Sequence, residues 1–145
     1  MPKAVAKPNA KLEYDKAIAL ARNPPKHQVY TYLIPKDPRE FYEKALEIAL
    51  KNPQLGKKVT EEPAERLIYI YAKSAKMDMD GDFGSHKEAR DYYEKTRSLL
   101  KYLPPVKRFE LSTRLDKAMN ILARKEEEKR QRETEEAALL LRGEP

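Results

Sequence analysis

The chain has 145 residues, 40% apolar and 37% charged, which suffices for one domain with a modest core. Lacking cysteine, it can form neither a disulfide framework nor a thiolate metal site, and its apolar runs at 67–72 and 137–141 fall far short of the roughly 18–20 residues a bilayer requires. The formal charge of +6 is concentrated at one end: residues 1–36 hold seven basic side chains against two acidic ones, a balance of +5, with five of the eleven prolines.

In that arm Lys3, Lys7 and Lys11 recur every four residues, followed by Lys16, Arg22, Lys26 and Lys36. Asn9 is predicted to cap a short helix to about Arg22, weakly amphipathic, with Leu12, Ala19 and Ala21 among its small apolar residues, until Asn23-Pro24-Pro25 stops it. The run from His27 to Pro35 is aromatic and β-branched, so it reads as extended. Bounded by prolines, it is expected to be a strap laid across a partner or the bundle rather than a sheet strand.

Asp37-Pro38-Arg39-Glu40 is a start signal, with an acid at the cap and proline at the first helical position. The helix is expected to reach about Asn52 and to bury Phe41, Ala45, Ile48 and Ala49, with Tyr42, Leu46 and Leu50 widening the stripe. A basic turn at 53–58 follows, and then a helix capped by Thr60 or Glu62 and entered through Pro63. Its face of Ala64, Leu67, Ile68, Tyr71, Ala72 and Ala75, with Tyr69 and Ile70 also apolar, predicts the centre of the core.

Residues 78–84 read as a loop, and Ser85-His86-Lys87-Glu88 as a capping box. The helix it opens is predicted to reach about Leu103, burying Ala89, Tyr92, Tyr93, Leu99, Leu100 and Leu103. Pro104-Pro105 begins the last helix, whose predicted face is Phe109, Leu111, Leu115, Ala118, Met119 and Leu122. From Arg124 to Glu136 every face is polar, with glutamates three or four residues before basic side chains, as suits a solvated helix. The apolar end at Leu139, Leu140 and Leu141, before a stop at Arg142-Gly143, either contacts another copy or folds back on its own bundle. The fold class is therefore all-α: four to five helices forming a bundle over 37–123, an arm over 1–36, and a charged extension over 124–145.

Four helices share a phrase: Tyr14-Asp15-Lys16-Ala17, Tyr42-Glu43-Lys44-Ala45, Tyr93-Glu94-Lys95-Thr96 and Leu115-Asp116-Lys117-Ala118. It looks like the second helix of a tetratricopeptide repeat, and residues 64–104 resemble one helical hairpin of that family. The copies start 28, 51 and 22 residues apart rather than at a constant spacing. The resemblance implies an adaptor that holds a protein partner in a groove.

Asp78, Asp80 and Asp82 invite a calcium reading, but an EF-hand loop counted from Asp78 needs glycine and glutamate where Phe83 and Ala89 stand, so a solvated acidic turn is the alternative. His27 and His86 lie in no metal or nucleophile motif. With no phosphate-binding glycine loop and no nucleophile elbow, no catalytic constellation can be assembled, and no cofactor is implied.

Lysines on long stems suit backbone phosphates rather than base edges, so the arm predicts sequence-independent, salt-sensitive binding to nucleic acid, or else an inert solubilising tail. Tyr30 and Tyr32 would either stack on bases and sugars or pack on their own protein. In layout the chain resembles the helical major coat proteins of filamentous archaeal viruses, on the basic arm from Lys3 to Lys36, the strap from His27 to Pro35 and the apolar end from Leu139 to Leu141. The resemblance implies a virion capsid protein whose N-terminal part embraces double-stranded DNA while copies, often of two related kinds, stack into a filament. The abundance of Lys, Arg and Glu without Cys also matches the composition of thermophile proteins. Outside a virion the expected place is the cytoplasm.

Overall fold

The computed structural model describes residues 9–81 and 84–143. The fold is all-α apart from one small hairpin, in the order α1 (Ala10–Arg22), β1 (Lys26–Val29), β2 (Tyr32–Pro35), α2 (Arg39–Lys51), α3 (Lys58–Asp80), α4 (His86–Leu99) and α5 (Pro105–Leu141), with short 3-10 turns at Pro53–Leu55 and Leu100–Tyr102. Among the described residues no helix is long and apolar enough to cross a membrane.

The central helix is α3, which packs on α2 along one side and on α4 along another, while α1 packs on α2 and α5 on α4. Leu67, Ile68, Tyr71 and Ala75 of α3 are buried, as its helical spacing predicts, whereas Ala72 is half-buried and Tyr69 lies 46% exposed. Tyr42, Ala45, Leu46 and Ala49 face it from α2, and Ala89, Tyr93 and Leu99 from α4. Phe41, Ile48 and Tyr92 are only partly covered, at the edges of these stripes, and Leu50 is exposed.

The start signals hold in part: Pro38 takes the cap position expected of Asp37, and the helix begins at Arg39. Asp37 Oδ1 accepts from the Arg39 backbone N–H at 2.9 Å, and Ser85 Oγ accepts from the Glu88 N–H at 3.3 Å. The third helix begins earlier than expected, at Lys58, with Pro63 inside it, because a donor from α1 takes over the bond that proline cannot make. It also runs on through Asp78 and Asp80, both expected in the loop, and is capped at Gly81.

Three expectations are corrected. First, α1 is part of the bundle: Tyr14, Ala17, Ile18 and Ala21 recur at helical spacing and join the core, which leaves Leu12 and Ala19 on the outer face. Second, the run from His27 to Pro35 is an antiparallel β-hairpin pairing Lys26 with Pro35, His27 with Ile34, Gln28 with Leu33 and Val29 with Tyr32. It is a ribbon exposed on both faces, not a strap against the bundle, since only Val29 among its strand residues is even half-buried. Third, Phe109 is 76% exposed, because two helical steps place it about 200° around α5 from the buried Leu111.

The last helix is continuous for 37 residues, about 55 Å. Leu111, Leu115 and Leu122 bind it to the body, with Ala118 and Met119 half-covered beside them. Among the described residues, the last ion pairs to the body are Lys125 to Asp80 at 3.6 Å and Glu126 to Arg90 at two points. Beyond them α5 projects as a polar rod. It does not fold back, and it ends on Leu140 and Leu141, 79% and 90% exposed, before Gly143 closes the helix at φ 71°.

Candidate nucleic-acid interface

The residues that sequence reasoning assigned to phosphate binding fall into three groups. Lys3 and Lys7 lie outside the described residues. Lys11 and Lys16 sit on the exposed side of α1, where Lys11 meets Asp15 at 3.1 Å in an i,i+4 pair exposed on both sides. Such a pair contributes little and leaves the lysine exchangeable. Lys16 has no ion-pair partner among the described residues, and it shares a surface groove with Leu20, Phe41 and Lys44 and with the carboxylates Glu13 and Glu40.

Arg22 belongs to the structure instead. Its guanidinium grips Glu62 of α3 at two points, Nε to Oε2 at 2.9 Å together with an Nη2 to Oε1 contact, so its charge is already matched. The fork joins the end of α1 to the start of α3. For phosphate to take Arg22, it would have to compete with this carboxylate.

The third group is carried by the hairpin. Lys26 opens β1, and Lys36, just past β2, donates its backbone N–H to the Pro25 carbonyl at 2.9 Å, so the two lysines stand on opposite strands of one ribbon base. Neither has an ion-pair partner among the described residues. Cross-strand pairing puts His27, Val29, Tyr32 and Ile34 on one face and Lys26, Gln28, Leu33 and Pro35 on the other.

Tyr30 and Thr31 form the two-residue turn, and Tyr30 takes φ 57°, the only described non-glycine residue at positive φ. Glycine or asparagine normally fills such a place, and a bulky residue there costs about 1–2 kcal/mol. The Gln28 side chain donates to the Tyr30 carbonyl at 3.1 Å and braces the turn. Tyr30 is 91% exposed and Tyr32 69%, so packing on their own protein is not their role. Short hairpins are marginal in isolation, and an exposed apolar ribbon marks a contact surface.

Comparison with protein-family models, curated proteins and solved structures finds no match. Function has to be argued from the surface itself.

One basic cluster escaped the sequence reading. Lys57, Lys101 and Arg108, with Gly56, Tyr102 and one carboxylate, Glu61, line a groove of about 500 Å³ where the turn before α3 meets the turn before α5. Arg108 is held by its bonds to the Lys101 and Leu103 carbonyls, at 3.3 and 2.9 Å, and the Lys101 ammonium lies 5.2 Å over the Tyr102 ring. The Lys57-Lys58 turn was the only local signal; the partners come from more than forty positions away.

The two described members of the acidic triplet do not converge. Asp78 and Asp80 stand two apart in the last turn of α3, on different faces, Asp80 is turned to Lys125, and Asp82 lies outside the described residues. No group of three acidic or histidine side chains able to hold a metal occurs among the described residues. The most perturbed phenol is Tyr71, which burial, reinforced by the Glu43 carboxylate, pushes up to about 12. It stacks on Tyr92 at 5.9 Å beneath the Lys95 ammonium, and it stays protonated at neutral pH.

Proposed function

We propose that this chain is a structural protein that coats nucleic acid through its phosphate backbone, without sequence specificity, and assembles on it. The proposed setting is a virion filament in which the protein wraps double-stranded DNA. The observation that carries this reading is the ribbon: Lys26 and Lys36 at its base without ion-pair partners among the described residues, Tyr30 and Tyr32 bare at and beside its tip.

The chemistry supports a duplex. Lysines at the ribbon base suit the phosphates that flank a groove, and exposed tyrosines can lie against sugars and bases without reading their edges. Lys16 and the exchangeable Lys11 extend the basic track along α1. No catalytic step and no cofactor belong to this proposal. Titration of random-sequence duplex DNA against salt tests it: the log–log slope should be about −0.9 per phosphate contacted, and no binding by the full chain at about 50 mM salt sinks it.

A second reading is a helical adaptor for a protein partner. The α3–α4 hairpin is its basis, and the apolar groove where α5 passes α3 is the observation that favours it. The adaptor predicts indifference to duplex DNA at low salt.

A further inference from the structure

The assembly half of the proposed function leaves open what the exposed leucines at the end of α5 would meet. We propose that they enter the groove between α3 and α5 of a second copy of this chain, an inference that rests on the assembly reading and goes further by naming the acceptor.

That groove, about 520 Å³, is lined by Ile68 and Ala72 from α3, Leu111 and Ala118 from α5, and the cations Lys76 and Arg114. Tyr69 at its margin is 46% exposed and Ala72 and Ala118 are half-covered, above a buried floor to which Tyr93 and Thr96 of α4 contribute. A leucine-bearing helix end in a groove between two helices is a common recognition mode, anchored by a few apolar side chains.

Charge favours this occupant. Glu133, Glu135 and Glu136, all exposed, immediately precede the apolar end, with Arg132 before them and Arg142 beyond the leucines, a local balance that stays acidic. On the receiving side Lys76 has no ion-pair partner among the described residues, and Arg114 has only an exposed i,i+4 contact with Glu110 at 3.0 Å. An acidic collar behind an apolar tip thus meets a basic margin around an apolar groove.

The chain cannot fill its own groove. Ala118, the last groove residue on α5, is separated from Leu139 by about 30 Å of continuous helix. No proline or glycine interrupts that stretch. Tip and groove are different surfaces of one chain: a one-way contact repeated from copy to copy yields a ring or an open filament, as the assembly reading requires, whereas a reciprocal exchange of tips would close at a dimer.

Three full-length samples test this by light-scattering mass against concentration, with and without duplex DNA. The first is the parent chain. The second is a tip variant with Leu139→Ser, Leu140→Ser and Leu141→Ser. The third is a groove variant with Lys76→Glu and Arg114→Glu, both at exposed positions. The parent should grow beyond a dimer, and each variant alone should associate about tenfold or more weakly. An equimolar mixture of the two variants should stop at a dimer, because one intact tip then faces one intact groove and both outer ends are blocked. If the tip variant is monomeric while the groove variant assembles like the parent, the tip docks elsewhere: this inference fails and the assembly reading stands. A parent chain that stays monomeric with and without DNA overturns both.

Discussion

The Tyr14 hydroxyl donates to the Val59 carbonyl at 2.7 Å, standing in for a helical N–H that Pro63 does not have. An intact helix would satisfy Val59 from the residue four positions on, and proline both lacks the donor and crowds that carbonyl. Tyr14 comes from α1, so one bond lets α3 begin a full turn before its proline and clamps the N-terminal helix to the core. Burial raises the Tyr14 phenol, which keeps the donor in place at neutral pH.

Tyr14→Phe should therefore cost about 1–3 kcal/mol in urea unfolding, since it leaves a partly buried carbonyl unpaired. In a Pro63→Ala background the backbone donor returns, and the same substitution should cost clearly less. Equal costs in the two backgrounds would show that the bond does not compensate for the proline.

Lysines and arginine in the basic segment should separate by role. Lys16→Ala, Lys26→Ala and Lys36→Ala should each make the salt slope of duplex binding shallower by about 0.9, with little change in stability. Arg22→Ala should leave the slope nearly unchanged and lower stability instead, because it parts α1 from Glu62. An unchanged slope in all four variants would place the phosphate contacts elsewhere, with the Lys57, Lys101 and Arg108 groove the next surface to mutate.

At the ribbon tip, Tyr30→Asn should keep the hairpin register, because asparagine tolerates positive φ, yet weaken nucleic-acid binding by about 1 kcal/mol or more through the lost stacking surface. Tyr30→Phe should bind like the parent. Cross-strand contacts between Val29 and Tyr32, read by NMR, check that the register holds. Unchanged affinity in the asparagine variant removes the tip from the interface.

Arg90 donates to Glu126 and holds its carboxylate below the ordinary glutamate range. A folded-state value below the unfolded one gives stability that is complete above the ordinary range and lost as acidification passes down through the folded value. Glu126→Gln should lower stability at neutral pH and flatten the acid limb of the stability profile. An identical acid limb in the variant would mean that this pair does not set it.

Much of the fold was legible because its punctuation is local. Asp37, the box from Ser85 to Glu88, and Pro104-Pro105 place three helix starts with chemistry confined to four residues or fewer. The burial of α1 was missed because its stripe is mostly alanine, with Tyr14 and Ile18 as its only large members. The hairpin was missed because Tyr30 and Thr31 carry none of the usual turn chemistry; its strain is visible only in the backbone angles. Lysine spacing pointed to a phosphate track, but which cations have protein partners depends on residues as distant as Glu62, and sequence spacing does not encode that pairing.

Electron microscopy of the purified full-length protein with and without random-sequence duplex DNA tests the central claim most directly. At about 50 mM salt, where backbone contacts are strongest, coated filaments following the DNA are predicted, dispersing as salt rises. Discrete particles beside bare DNA would contradict it.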